Sequence, residues 1–386
     1  MNLVVVSKAR QTLRDICANL DAMEEPIEVT PIEGSLDDLA KIPAHQDPEV
    51  MILDCSGGSC APLERIEQLR QLYPDMALIL VTDNAAPDFL MGAMRAGVRE
   101  VLPLPATTPV LASALGRLVT KANGHERRHG QILTFVGCKG GAGTSFLAAN
   151  LGYVLAEHEQ KVLLLDLNLQ FGDAALFVSD QKSTKTIADL AEEIHRVDAA
   201  FLASSVVHIS EGFDVLAAPE DPSRALAVKA EHVDTLLRLA RHQYDFVVID
   251  AGRGLDAVSL RALDHADVIY PVLQLTLPFI RDAKRLVEAF RSLDYGREKV
   301  RIIVNRYQKS DDIGLADVQK ALGYEAAHVV PNQFEPVAAS VNQGVPVRKL
   351  APASLVSKAL VDIAATLTSA ETRVEPAGWF GRLLGR

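Results

Sequence analysis

Short apolar runs rich in Val, Ile and Leu alternate with helix-like stretches along almost the whole chain, and that alternation admits few folds. The runs fall at residues 3–6, 50–53, 77–81 and 100–102, with helical patterns at 61–72 and 86–96 between them. They resume at 132–136, 162–165, 213–216, 246–249, 268–272, 301–304 and 327–330. Runs without a polar alternate face are strands buried on both sides, and strands joined through helices run parallel. The expected fold class is therefore α/β, with two doubly wound parallel-sheet domains. Between them the pattern breaks into Lys-Ala-Asn-Gly-His-Glu-Arg-Arg-His-Gly at 121–130, a polar basic linker. That gives domains at 1–120 and 131–370 and a tail at 371–386.

Composition excludes several function classes. With 386 residues, 48% hydrophobic and 23% charged, the chain can bury two cores. A net charge of −11 argues against broad nucleic-acid binding. The stretch 281–301 carries seven Lys/Arg against four Asp/Glu, an excess that fits a solvated helix face better than a DNA contact. Cys17, Cys55, Cys60 and Cys138 form no C-x-x-C pair, so reduced thiols and no zinc site are expected. No leader segment is expected at the N-terminus, and no apolar stretch reaches the roughly eighteen residues of a bilayer span.

The chemistry concentrates in Lys139-Gly140-Gly141-Ala142-Gly143-Thr144-Ser145, between the run at 132–136 and a helix-like stretch at 146–158. Three glycines let the backbone curl so that N–H groups and a helix N-terminus face a phosphate. Ser145 then offers a hydroxyl to Mg²⁺. An ordinary phosphate-binding loop has lysine where this chain has Thr144. The bland alternative is a glycine-rich turn without a ligand. Asp166, Asp250 and Asn305 each follow an apolar run. Strand-end polar residues are common singly, but together they mark the sheet edge where open α/β sheets bind ligands.

In this order of residues the second domain resembles the ParA/MinD family of deviant-Walker ATPases. The resemblance implies ATP and Mg²⁺ as cofactors and a homodimer. Lys139 matches the signature lysine that reaches a partner's phosphates, and Asp166 opens the switch-like Asp-x-Asp segment. Asp250 matches the Walker B aspartate, holding the metal through water beside Ser145. Asn305 matches the purine-contacting asparagine, and Pro331-Asn332 with the segment 342–346 the region closing near the base. The implied nucleotide contacts are Gly140, Gly141, Ala142, Gly143, Thr144 and Ser145. Two positions depart from the family: Thr144 removes the lysine charge, and Asn168 stands where a second aspartate would place the attacking water. Asp166 or Asp173 is left as the nearby carboxylate. Losing one such contact commonly costs about a hundredfold to a thousandfold in rate. Slow or absent hydrolysis with retained binding is expected; a genuine ATPase cycling between monomer and dimer is the alternative.

Residues 1–120 resemble a bacterial receiver domain. Asp54 stands at the phosphoacceptor position and Thr82 at the hydroxyl position, but Ser7-Lys8 replaces the acidic pair and Leu104-Pro105 the usual lysine-proline. Lone Asp54 offers too few oxygens for a divalent ion, so a pseudo-receiver used for docking or dimerisation is expected. The combination is similar to the CpaE/TadZ proteins of type IVb (Tad/Flp) pilus assembly. That resemblance implies pilus partners including the secretion ATPase, and a cytoplasmic place at the inner membrane or cell pole. In the tail, Trp379, Phe380, Leu383 and Leu384 share one arc of a helical wheel with Arg382 and Arg386 outside it. The expected role is a short peripheral membrane anchor, with a frayed or self-docked tail as the alternative.

Overall fold

The structure is a computed structural model describing residues 1–23, 27–36, 48–58, 65, 66, 69, 73, 76–84, 86–122, 130–310 and 312–368. Two compact units divide after Arg128.

In the first unit the described elements are β1 (Asn2–Ser7), α1 (Arg10–Asp21), β2 (Glu28–Glu33), β3 (Val50–Asp54), β4 (Ala77–Thr82), α2 (Pro87–Arg95), β5 (Glu100–Pro103) and α3 (Thr108–Ala122). The strands pair in the order β2-β1-β3-β4-β5, all parallel, which is the flavodoxin-type arrangement. Successive side chains point to opposite faces of the sheet. Accordingly Val4, Val6, Met51, Leu53, Leu78 and Leu80 pack in one core layer. Leu3, Val5, Val50, Ile52, Ile79 and Val81 pack in the other. Asp54 ends β3 at the switch point beside β1. Its Oδ2 accepts a 2.6 Å hydrogen bond from the Ser7 hydroxyl and its Oδ1 one of 2.9 Å from the Ser56 N–H. Most of the helix expected at 61–72 lies outside the described residues. So does the whole tail with Trp379, Phe380, Leu383 and Leu384. The expectation of four reduced thiols is corrected: Cys55 is disulfide-bonded, while Cys17 and Cys138 are free. The lack of C-x-x-C spacing does not exclude a disulfide, because that spacing is only one of many that a disulfide can bridge.

The second unit holds β6 (Gln131–Gly137), α4 (Thr144–Glu157), β7 (Val162–Asp166), β8 (Val207–Ser210), β9 (Phe213–Leu216), α5 (Ala230–Gln243), β10 (Phe246–Asp250), α6 (Ala257–His265) and β11 (Val268–Leu273). They are followed by α7 (Leu277–Ser292), β12 (Ile302–Tyr307), α8 (Leu315–Leu322), β13 (Ala326–Pro331), α9 (Phe334–Gln343) and α10 (Leu355–Thr368). The sheet order is β13-β12-β11-β6-β10-β7-β9-β8, parallel except for the antiparallel β8–β9 pair at one edge. The expected α/β class with parallel-sheet domains is thus the observed one. The helix anticipated across 281–301 is shorter: α7 stops at Ser292, ahead of Gly296.

The central strand β6 feeds α4, a helix with eleven of its fourteen residues buried. Such a helix is apolar all round because it belongs to the core rather than to a surface. Gly152 gives it close approach to the sheet, since a Cβ there would stand 2.7 Å from the Phe213 ring. The polar Asn150, fully buried within it, is satisfied: Nδ2 donates to the Phe146 carbonyl at 2.9 Å and Oδ1 accepts from the Val347 N–H at 2.7 Å. A rigid helix therefore stands directly behind the glycine loop.

Candidate functional site

At the end of β6 the chain leaves the sheet under tight restraint. The Gly137 N–H donates to the Gly252 carbonyl at 2.7 Å and the Cys138 N–H to the Val272 carbonyl at 3.0 Å. Gly141 and Gly143 then take φ values of 80° and 91°, the left-handed region that glycine enters without a Cβ penalty. At Gly143 a Cβ would also collide with the Asn305 amide. Two loop carbonyls, which would repel an anion, are tied down: the Gln274 Nε2 donates to the Gly141 oxygen and the Asn305 Nδ2 to the Ala142 oxygen, both at 2.7 Å. Among the described residues nothing accepts from the N–H groups of Gly140, Gly141 or Gly143. The loop thus keeps its donors free and its nearest acceptors engaged, the pattern suited to binding an anion.

Thr144, at the position of the missing lysine, begins α4 and is buried. Its hydroxyl stands 2.8 Å from where a Cβ on Gly137 would lie, so the side chain folds back onto the end of β6. Ser145 is half-buried and adjoins Asp250. Asp250 has no exposed surface, and its Oδ1 accepts from the Gly252 N–H at 3.2 Å while Oδ2 makes no hydrogen bond. Burial raises its carboxyl above the ordinary range, against the Ser145 hydroxyl and the Gly252 N–H, which favour the charged form. An orphaned buried carboxylate oxygen beside a hydroxyl is a donor set suited to a hard divalent cation.

Asp166 pairs in register with Asp250 across β7 and β10. Its Oδ1 accepts from the Asn168 N–H at 3.0 Å and its Oδ2 from the Ala174 N–H at 2.9 Å. Burial, then the neighbouring Asp250 charge, raises its carboxyl above the ordinary range. Asp166 is therefore the anchor of the 167–174 loop rather than a solvent-facing acid. That loop passes so close that a Cβ on Gly172 would stand 2.6 Å from both Asp166 oxygens. The Asn168 side chain is also spent locally, with Nδ2 donating to the Phe171 carbonyl at 2.9 Å. Lys139 points toward α7, where its Nζ meets Asp282 Oδ2 at 3.2 Å. The lysine holds the Asp282 carboxyl below its usual range.

A cavity of about 1090 Å³ opens over the loop. Lys139, Gly140, Gly141, Ala142, Gly143, Thr144, Ser145, Asn305, Pro331 and Asn332 all line it. Asp166 and Asp250 stand behind this lining. Asn305 reaches the cavity, but both polar ends of its amide are engaged: Nδ2 by Ala142 and Oδ1 by the Arg306 N–H at 2.9 Å. Three further lining residues were not among the expected contacts: Arg253, Gln274 and Arg306. Gln274 directly follows β11 as Asn305 interrupts the end of β12, so the strand-end rule extended to residues 268–273 finds it. Arg253 lies on a turn made possible by Gly252 at φ 63°, which no apolar pattern marks.

A parallel sheet with a glycine loop at its central strand, running into a buried helix with acids on nearby strand ends, defines a P-loop nucleotide-binding type of domain. The comparisons narrow this class. Residues 130–296 match the family model described as an AAA domain. The septum site-determining protein MinD of Thermotoga maritima is 24% identical over 224 residues, covering 56% of this chain and 81% of that protein. A ParA family ATPase from Chlorobium tepidum has a similar structure, with a TM-score of 0.58 and 28% identity, over 61% of this chain and 98% of that one. MinD from Pyrococcus horikoshii, solved as a complex with Mg-ADP, shares the fold at a TM-score of 0.55 and 21% identity, over 63% and 97%. Together these likenesses support the ParA/MinD-type P-loop ATPase family for the second unit.

Proposed function

We propose that this chain is an ATP-binding, dimerising scaffold that positions other proteins, with ATP hydrolysis slow or absent. The observation that carries the reading is the restrained loop. Its carbonyls are held by Gln274 and Asn305 and its glycine N–H groups are free, with Ser145 and the orphaned Asp250 oxygen beside it. Mg²⁺ would be held by Ser145 directly and by Asp250 through water, and would supply charge neutralisation at the phosphates. The chain's residues bind and orient. Thr144 brings no charge, and Asn168 and Asp166 are engaged in shaping their own loop, which supports binding over turnover. Lys139 would leave Asp282 to complete a partner's site in the homodimer. A pair this exposed is screened by solvent and held weakly, so little opposes that move.

By resemblance to CpaE/TadZ proteins, the cargo would be the type IVb (Tad/Flp) pilus machinery with its secretion ATPase. The place would be the cytoplasmic face of the inner membrane or a cell pole. Among the described residues no helix is long and apolar enough to cross a membrane. The second reading, an ATPase cycling between monomer and dimer, draws support from the likeness to the ParA family ATPase. One experiment separates them: ATP affinity and single-turnover hydrolysis on the purified chain, with oligomeric state followed in parallel. Tight binding, ATP-dependent dimers and negligible turnover support the scaffold. Turnover of about 1 s⁻¹, within the ordinary enzyme range, supports the cycling ATPase instead.

A further inference from the structure

The substitution at Thr144 leaves the loop without the cation that would ordinarily face the terminal phosphates from within the motif. Lys139 is occupied by Asp282. The cavity lining beside the loop contains another positive charge. Arg253 follows Asp250 by three residues, on the turn that Gly252 makes with φ 63°. Its Nη1 stands 3.5 Å from where a Cβ on Gly140 would lie, against the exposed face of the glycine loop. Among the described residues no hydrogen bond or ion pair engages its guanidinium, and both Arg253 and the loop line the cavity.

We propose that Arg253 is the cation that meets the phosphates of a bound nucleoside triphosphate, standing in for the lysine absent at position 144. The assignment rests on the nucleotide-binding reading above. Chemically the exchange is reasonable. A guanidinium is always charged and presents a planar fork that fits phosphate oxygens in pairs, whereas lysine acts as a point charge. Position also matters. The turn that carries Arg253 is tied to the loop's own root, because Gly252 accepts from the Gly137 N–H at 2.7 Å and donates to Asp250 at 3.2 Å. The cation is thus held by the same few residues that hold the cradle and the metal-facing carboxylate.

The test is ATP, ADP and adenosine binding by the full chain, in wild-type form and as Arg253→Ala and Arg253→Lys. Melting curves serve as the check on folding. A hydrogen-bonded charge contact of about 1.5–3 kcal/mol corresponds to about a 10- to 150-fold loss of ATP affinity in Arg253→Ala. Adenosine binding should stay unchanged, the salt dependence of ATP binding should become shallower, and Arg253→Lys should recover part of the loss. If the wild-type chain binds ATP and a folded Arg253→Ala variant binds it equally well, the assignment fails alone. Failure of the wild-type chain to bind ATP would overturn this assignment together with the nucleotide-binding reading.

Discussion

At the scale of single residues, the site depends on glycines whose missing Cβ atoms are filled by neighbours. Gly172 sits against the Asp166 carboxylate and the Ala218 methyl, each 2.6 Å from its would-be Cβ. Gly172→Ala should destabilise the chain by about 1–3 kcal/mol, as overpacking does, measured by urea unfolding. A midpoint within error of wild type would show that the 167–174 loop moves freely. Gly143 and Asn305 form a second case, and they are coupled. Asn305→Ala strands the Ala142 carbonyl and should cost about 1–3 kcal/mol. Gly143→Ala introduces both a left-handed alanine and a collision with the Asn305 amide. In the double variant the collision is gone, so the two losses should sum to more than the measured total. Strict additivity would remove the contact from the explanation. Glycine and strand-end residues were legible in the sequence because an apolar run points to them. Asn305 was legible as a site residue, whereas its use in pinning a carbonyl required knowing where the Ala142 oxygen lies.

At the scale of elements, α5 and α6 are joined by charge as well as by packing. Asp234 on α5 accepts from the His265 Nε2 of α6 at 2.7 Å and from the Arg238 Nε at 3.2 Å. Burial alone would raise the Asp234 carboxyl, but His265 and Arg238 outweigh it and bring it down to about 2. Because the folded value lies below the unfolded one, the folded state binds fewer protons in between. This stabilisation is present above about pH 4 and is lost as pH falls toward about 2. Asp234→Asn should lower stability at pH 7 by on the order of 2 kcal/mol, and the variant should show a shallower acid loss over that window. Equal pH slopes in thermal melts of the two forms would contradict this. Elements also differ in how visible they were beforehand. The central strands announce themselves through runs buried on both faces, as in Val162–Asp166. The edge strand β2 reads Glu-Val-Thr-Pro-Ile-Glu with only Ile32 buried, and β8 has four residues. An edge strand needs little apolar surface, so its sequence carries little signal.

At the scale of the whole molecule, the two units bring different chemistry. In the first, both oxygens of Asp54 are engaged, by Ser7 and by the Ser56 N–H, and Ser7 occupies the strand end where a receiver would bring its acids. Treating the chain with acetyl phosphate and Mg²⁺ should leave Asp54 unmodified; an acyl-phosphate detected there by mass spectrometry would restore the receiver reading. In the second unit, Lys139→Ala should abolish ATP-dependent dimers while leaving the affinity of the monomer for ATP within a few-fold, followed by sedimentation. Dimers that persist would place the subunit contact elsewhere. The clamps on the glycine loop add one more consequence. With Gly141 and Ala142 fixed by side chains at the ends of two strands and α4 buried behind them, the cradle's entropy loss is already incurred during folding. A guest therefore finds its seat set and has no loop to order. Any message that the seat is taken must be carried by the guest's own charge and by the side chains that turn toward it.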